Sequence, residues 1–146
     1  MSRMISRAGR LGAALGVAAV LAATGAVFAS PATASTNCPS GYHCLFYNSL
    51  ESAKHKYFDS DSNFADDTFN DRGGNGYGYG QTVNDNSWAA SNSSTGGYES
   101  HYYANSNYSS FLFCVNPGSE VNAVSTSQKD KASSLRLRGT TSISCY

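Results

Sequence analysis

Charge is scarce in this chain: only 14% of its 146 residues are Asp, Glu, Lys or Arg, and ten bases balance ten acids. Without a basic excess there is no positive surface to neutralise phosphates, which argues against a nucleic-acid partner. H-E-x-x-H, G-x-S-x-G and C-x2-C are all absent, so the metallopeptidase, serine-hydrolase and zinc-ribbon readings have no motif to start from. No apolar run of membrane-spanning length occurs after residue 34, and no helical 3.6-residue stripe of useful length appears there either. A chain this short holds one domain, which excludes a large multi-domain enzyme. No enzymatic activity is expected.

The first 34 residues explain much of the apolar content that is present. Arg3, Arg7 and Arg10 precede an Ala/Leu/Val run over Leu11–Phe28, and Ala32-Thr33-Ala34 follows as a small-x-small processing site. Val27-Phe28-Ala29 is a second candidate site. This is the pattern of a secretory signal peptide at 1–34, leaving a mature domain at 35–146. Its removal takes three arginines away, so the remaining chain carries 7 bases against 10 acids, formally −3. The expectation is a secreted, extracellular, monomeric protein with no membrane contact in its mature form.

All four cysteines, Cys38, Cys44, Cys114 and Cys145, fall in that mature part. An even count in a small exported chain reads as two disulfides, with three pairings possible. Cys38–Cys44 with Cys114–Cys145 is favoured, because Cys38 and Cys44 bracket the turn-forming Pro39-Ser40-Gly41. Loop entropy values these bridges at about 2.4 and about 3.7 kcal/mol, useful to a core poor in aliphatic residues.

Short β-favouring runs recur at Cys44–Asn48, Lys54–Asp59, Thr82–Ala90, Tyr98–Ala104, Phe111–Val115, Val121–Val124 and Ser134–Leu137, separated by Gly, Asn, Ser and Asp clusters. About seven to eight short strands point to an all-β sandwich of Greek-key type. The segment Asp66–Gly80, with five glycines interleaved by Tyr77 and Tyr79, reads as a surface loop. A faint two-fold repeat relates Leu45-Phe46-Tyr47-Asn48-Ser49 to Tyr102-Tyr103-Ala104-Asn105-Ser106. It continues in two later segments, Val83–Ser91 and Gln128–Leu135, and suggests two copies of a four-stranded unit.

Phe46, Tyr57, Phe111 and Phe113 sit at strand positions and are expected in the core, whereas Tyr77, Tyr79 and Tyr98 lie in or beside Gly-rich loops and are expected to face a partner. His43, His55 and His101 are dispersed among the strands and are expected at strand surfaces. Asp59-Ser60-Asp61-Ser62-Asn63 begins like an EF-hand loop, but Phe64 and Asn70 stand where that loop needs Gly and Glu. Lys129, Lys131, Arg136 and Arg138 make the C-terminal end basic, as a charged strand edge would be.

The start Cys38-Pro39-Ser40-Gly41-Tyr42-His43-Cys44-Leu45-Phe46 and the late Asp130-Lys131-Ala132-Ser133-Ser134-Leu135 resemble the secreted actinobacterial peptidase inhibitor family I36. The resemblance spans about residues 38–138. It implies a βγ-crystallin-like double Greek-key sandwich and an extracellular peptidase as partner, with a metallopeptidase as the candidate class. In the metalloproteinase-inhibiting branch a Cys-Val bond in a disulfide-tethered loop is the reactive bond. Cys114-Val115-Asn116-Pro117 stands in for it here, with Cys145 as the tether. Domains of this fold also carry a calcium signature of two Asn/Asp, two variable residues and Ser/Thr-Ser. Asn84-Asp85-Asn86-Ser87-Trp88-Ala89 has the Asn/Asp ligands but Trp88-Ala89 in place of the serines, and Lys129-Asp130-Lys131-Ala132-Ser133-Ser134 has the serines with Lys129 at a ligand position. Both copies are degenerate, so no cofactor is expected; calcium at Asn84, Asp85, Asp130 and Ser133 is the one candidate. The alternative function on the same scaffold is a secreted antimicrobial toxin or a wall-glycan-binding protein.

Overall fold

The computed structural model describes residues 36–146, so the leader expected at 1–34 lies outside the described residues. The β-favouring runs form seven strands: β1 His43–Phe46, β2 Lys54–Tyr57, β3 Ala89–Asn92, β4 Glu99–Asn105, β5 Ser109–Val115, β6 Glu120–Val121 and β7 Ser134–Arg138. One 3-10 turn, Phe64–Asp66, follows β2; it is capped by Asn63, whose side chain accepts from the Ala65 N–H. Among the described residues no helix is long and apolar enough to cross a membrane.

The strands make two antiparallel sheets, ordered β2-β1-β3-β6 and β5-β4-β7. β6 follows β5 in the chain but pairs in the other sheet, through Ala90↔Val121 and Ser91↔Glu120. The reciprocal exchange is the bridge Asp61↔Leu135, by which the segment after β2 pairs with β7. Each half therefore lends its third strand position to the other sheet. That interleaving defines a double Greek key of the βγ-crystallin type, and it realises the weak sequence repeat: β1 and β4 are the equivalent strands flanked on both sides.

The core between the sheets is aromatic because aliphatics are few. Leu45, Phe64, Phe69, Tyr102, Phe113, Val115 and Leu135 are its buried centre, with Tyr57 stacked on Phe64 at 4.9 Å and Tyr102 on Phe113 at 4.7 Å. Strand alternation sends Leu45 into this core and Cys44 and Phe46 to the opposite face, where they meet Cys38 and Ala89 in a second small cluster. The Cys38–Cys44 bridge straps the N-terminal segment over that face. The C-terminal segment covers β4 in the same way, fixed by Cys114–Cys145.

Three expectations are corrected. His43 and His101 are buried, 2% and 0% exposed: His43 shares the inner face of β1 with Leu45 and meets Ser100 across the core, whereas His101 is on the outer face of β4 with Glu99, under the C-terminal segment that Thr141 ties to Glu99. Phe111 is 46% exposed, since it stands on the outer face of β5 near the hairpin. The run Thr82–Ala90 is mostly not strand: β3 starts only at Ala89, after a turn in which Asp85 takes φ 56°.

Candidate functional site

The two calcium-type segments meet. The Asp85 N–H donates to the Ala132 carbonyl at 3.1 Å, the Asp130 N–H donates to the Ser87 carbonyl at 3.1 Å, and the Ser133 hydroxyl donates to Asp85 Oδ1 at 3.2 Å. Asp85 and Asp130 both adopt left-handed backbone, φ 56° and 53°, which Asp tolerates better than most residues. The folded chain thus brings Asp85 and Ser133 together as half of a cation site, with Asn84 Nδ2 donating to Asp85 Oδ2 at 2.8 Å. The other half is filled by side chains. Trp88 stands where a serine would, and its Nε1–H donates to Asp130 Oδ2 at 2.8 Å while Lys129 Nζ lies 4.0 Å over the indole ring. A calcium ion takes about six to eight oxygens. Asp130, engaged by an indole N–H beside an ammonium, does not fit that role; Asp85 and Ser133 fit it in part.

The tethered segment is arranged differently from its sequence reading. Cys114 and Val115 close β5, opposite His101 and Ser100 of β4, and are 1% and 0% exposed. Their peptide bond is therefore inside a sheet and not on a loop, because Phe113 and Val115 are core residues and the ladder runs through both. Asn116 and Pro117 lie just beyond, half-buried, in a turn closed by the Ser119 N–H donating to the Asn116 carbonyl at 3.0 Å. That turn is held from two sides. Asn92 receives the Gly118 N–H at 2.8 Å and donates its own N–H to Ser119 at 2.9 Å. Asn116 donates its N–H to the Tyr146 carbonyl at 2.9 Å, and Tyr146 donates to the Cys114 carbonyl at 2.9 Å. The bridge Cys114–Cys145 lies between these two rungs.

Beneath the C-terminal segment sits a cluster that the sequence reading missed. Glu99, 1% exposed, accepts from His101 Nε2 at 2.7 Å, from the Thr141 N–H at 2.9 Å and from the Thr141 hydroxyl at 2.8 Å. Burial alone would raise the Glu99 carboxyl, but the hydrogen bonds from His101 and Thr141 more than offset it and hold the group below its usual range. The signal was available: Glu99 and His101 are two apart on a strand, hence on one face. A second polar pair, His43 Nδ1 and Ser100 Oγ at 2.6 Å, joins β1 to β4 across the core. Burial lowers His43 to about 4, so its ring is neutral at ordinary pH. Ser100 is fully buried and its hydroxyl is not presented to solvent. Among the described residues the one three-residue group with metal-ligand spacing is His101, Cys114 and Cys145, and its two sulfurs are already joined to each other.

The loop tyrosines are exposed, Tyr77 by 59%, Tyr79 by 46% and Tyr98 by 49%. The Gly/Tyr segment is wrapped on the β1–β2 hairpin, with Tyr77 edge-on to Tyr47 at 5.2 Å and Arg72 4.2 Å over Tyr79. Gly78, at φ 86°, packs directly on the Tyr47 ring, where any side chain would collide. Arg136 and Arg138 are exposed on β7, whose outer side is paired only through the Asp61↔Leu135 bridge.

No protein-family description matches the chain, and no curated protein is significantly similar to it. Among solved structures, the N-terminal domain of protein S is similar over 67% of this chain and 96% of its own, at 11% identity and a TM-score of 0.45.

Proposed function

We propose that this chain is a secreted inhibitor of an extracellular peptidase that acts as a rigid, stoichiometric binder. The observation that carries the reading is the doubly braced turn Asn116–Ser119, hydrogen-bonded to Asn92 on one side and to the disulfide-anchored Tyr146 on the other. A turn already fixed in one conformation loses little entropy on entering a cleft, and a peptidase gains little by trying to open it. The two closed disulfides are consistent with an extracellular protein, and the Cys38–Phe46 and Asp130–Leu135 segments support the inhibitor class. In this reading the contact element is the turn Asn116–Ser119, not the Cys114–Val115 bond, whose burial keeps it from any active site. Residual activity of thermolysin-like, subtilisin-like and trypsin-like peptidases, measured against increasing mature protein, tests it. Inhibition of one class is expected; full activity of all three at equimolar protein would sink the proposal.

A further inference from the structure

At the end of the sandwich where β1 begins and the β3–β4 connection crosses over lies a cleft of about 440 Å³, lined by none of the residues of the Asn116–Ser119 turn. Two exposed aromatic rings line it, Phe58 from the segment after β2 and Tyr98 from the β3–β4 connection, 65% and 49% exposed. His43 lines it as well. That residue is only 2% exposed, and its Nδ1 is engaged by Ser100. Ser60 Oγ accepts from the Leu137 N–H at 2.9 Å and Ser94 Oγ accepts from the Tyr98 N–H at 3.3 Å, so both hydroxyl hydrogens are left to donate. Asp59 adds a carboxylate acceptor.

From this we infer that the cleft is a binding site for a neutral pyranose of a glycan chain, with Phe58 and Tyr98 taking the apolar face of the ring and His43 Nε2, Asp59, Ser60 and Ser94 meeting its hydroxyls. Each property of the lining selects this chemistry. Exposed rings of Phe and Tyr cost hydration free energy unless a flat apolar face covers them. Alternating donors and acceptors around such rings match a polyhydroxylated guest. No lysine or arginine lines the cleft, which disfavours phosphate, sulfate and uronate groups. One carboxylate against otherwise neutral groups is too little to select a cation. The volume falls within the ordinary range of small-ligand sites, roughly 300–1,000 Å³.

Calorimetric titration of the full mature protein with cellotetraose, maltotetraose and the tetramer of N-acetylglucosamine tests the inference, with a polyglucuronate oligomer as the charged control. Saturable binding of a neutral tetramer is expected. Phe58→Ala and Tyr98→Ala should each weaken it by about tenfold, as loss of one aromatic contact does. Both residues are solvent-exposed, and an unchanged melting temperature in each variant confirms that the fold is intact. Three results would overturn the inference: no neutral tetramer binding up to millimolar concentration, preference for the charged control, or binding that survives both substitutions. None of these bears on peptidase inhibition, which rests on other residues.

Discussion

His43 makes the stability of this protein sensitive to mild acid. In the unfolded chain its imidazole takes up a proton near pH 6.5; in the folded chain burial holds that event down to about 4. Between those values the unfolded state binds the extra proton and the folded state does not. Stability is therefore fully present above pH 6.5 and declines as the pH falls toward 4, where the His43 contribution levels off. The width of that window corresponds to about 3 kcal/mol, a large part of what a small domain possesses. Asp59 is the charged group that shares the cleft with His43, and Ser100, its hydrogen-bond partner, is neutral. Urea unfolding with the disulfides intact, run at several pH values from neutral to 4, measures the decline. His43→Gln cannot protonate, and it should lose about 3 kcal/mol less than the wild type over the same range, although it starts lower at neutral pH because packing and the Ser100 contact are disturbed. Both proteins keep His55, His101 and every carboxylate, so the difference between their curves isolates His43. Parallel curves would refute the reasoning.

Replacing both Cys114 and Cys145 by Ser should cost about 3.7 kcal/mol by the loop-entropy estimate and expose residues 139–146 to limited proteolysis while the core stays folded; denaturation and a timed digest check this. Glu99→Gln weakens the buried hydrogen bonds that His101 and Thr141 donate to the carboxylate and should cost about 2 kcal/mol in chemical denaturation. Because the Glu99 carboxyl is held below its usual range, the stability it supplies is present above the normal Glu titration and is lost as pH falls through the folded value. Calcium should raise the melting temperature of a Trp88→Ser, Lys129→Asn double variant more than that of the wild type, with about 2.7 kcal/mol gained when the ion is at a hundred times its dissociation constant; equal shifts would show that Trp88 and Lys129 are not what closes the second half-site.

The strand framework was legible because its signals are local. β1, β2, β4, β5 and β7 overlap closely with the short runs read as strands between Gly, Asn, Ser and Asp clusters, and the repeat from Leu45 to Tyr102 marks the two equivalent strands. The exchange of third strands was not legible, because it rests on single pairings such as Asp61↔Leu135 that no short motif announces. The run Thr82–Ala90 reads as a strand, yet the backbone turns at Asp85 to meet Ala132; a contact between distant segments overrode local propensity there. Burial of His101 was illegible for a related reason, since what covers the outer face of β4 depends on where the disulfide-strapped C-terminal segment is laid, whereas His43 is buried simply because it shares the inner face of β1 with Leu45. At the candidate site, Asn84, Asp85, Asp130 and Ser133 were found by motif, and the fold brings their segments together. The segment after Cys114 was found by motif too, but the register of β5 draws Cys114 and Val115 inside and leaves the turn that follows.

The most direct test of the inhibitor account is a titration of one sensitive extracellular peptidase with the mature protein, followed by the intact mass of the chain recovered from the mixture. The account predicts that activity falls linearly to an endpoint at one-to-one and that the recovered chain is uncut, with both disulfides in place. Undiminished activity, or a chain cut and consumed as substrate, would contradict it.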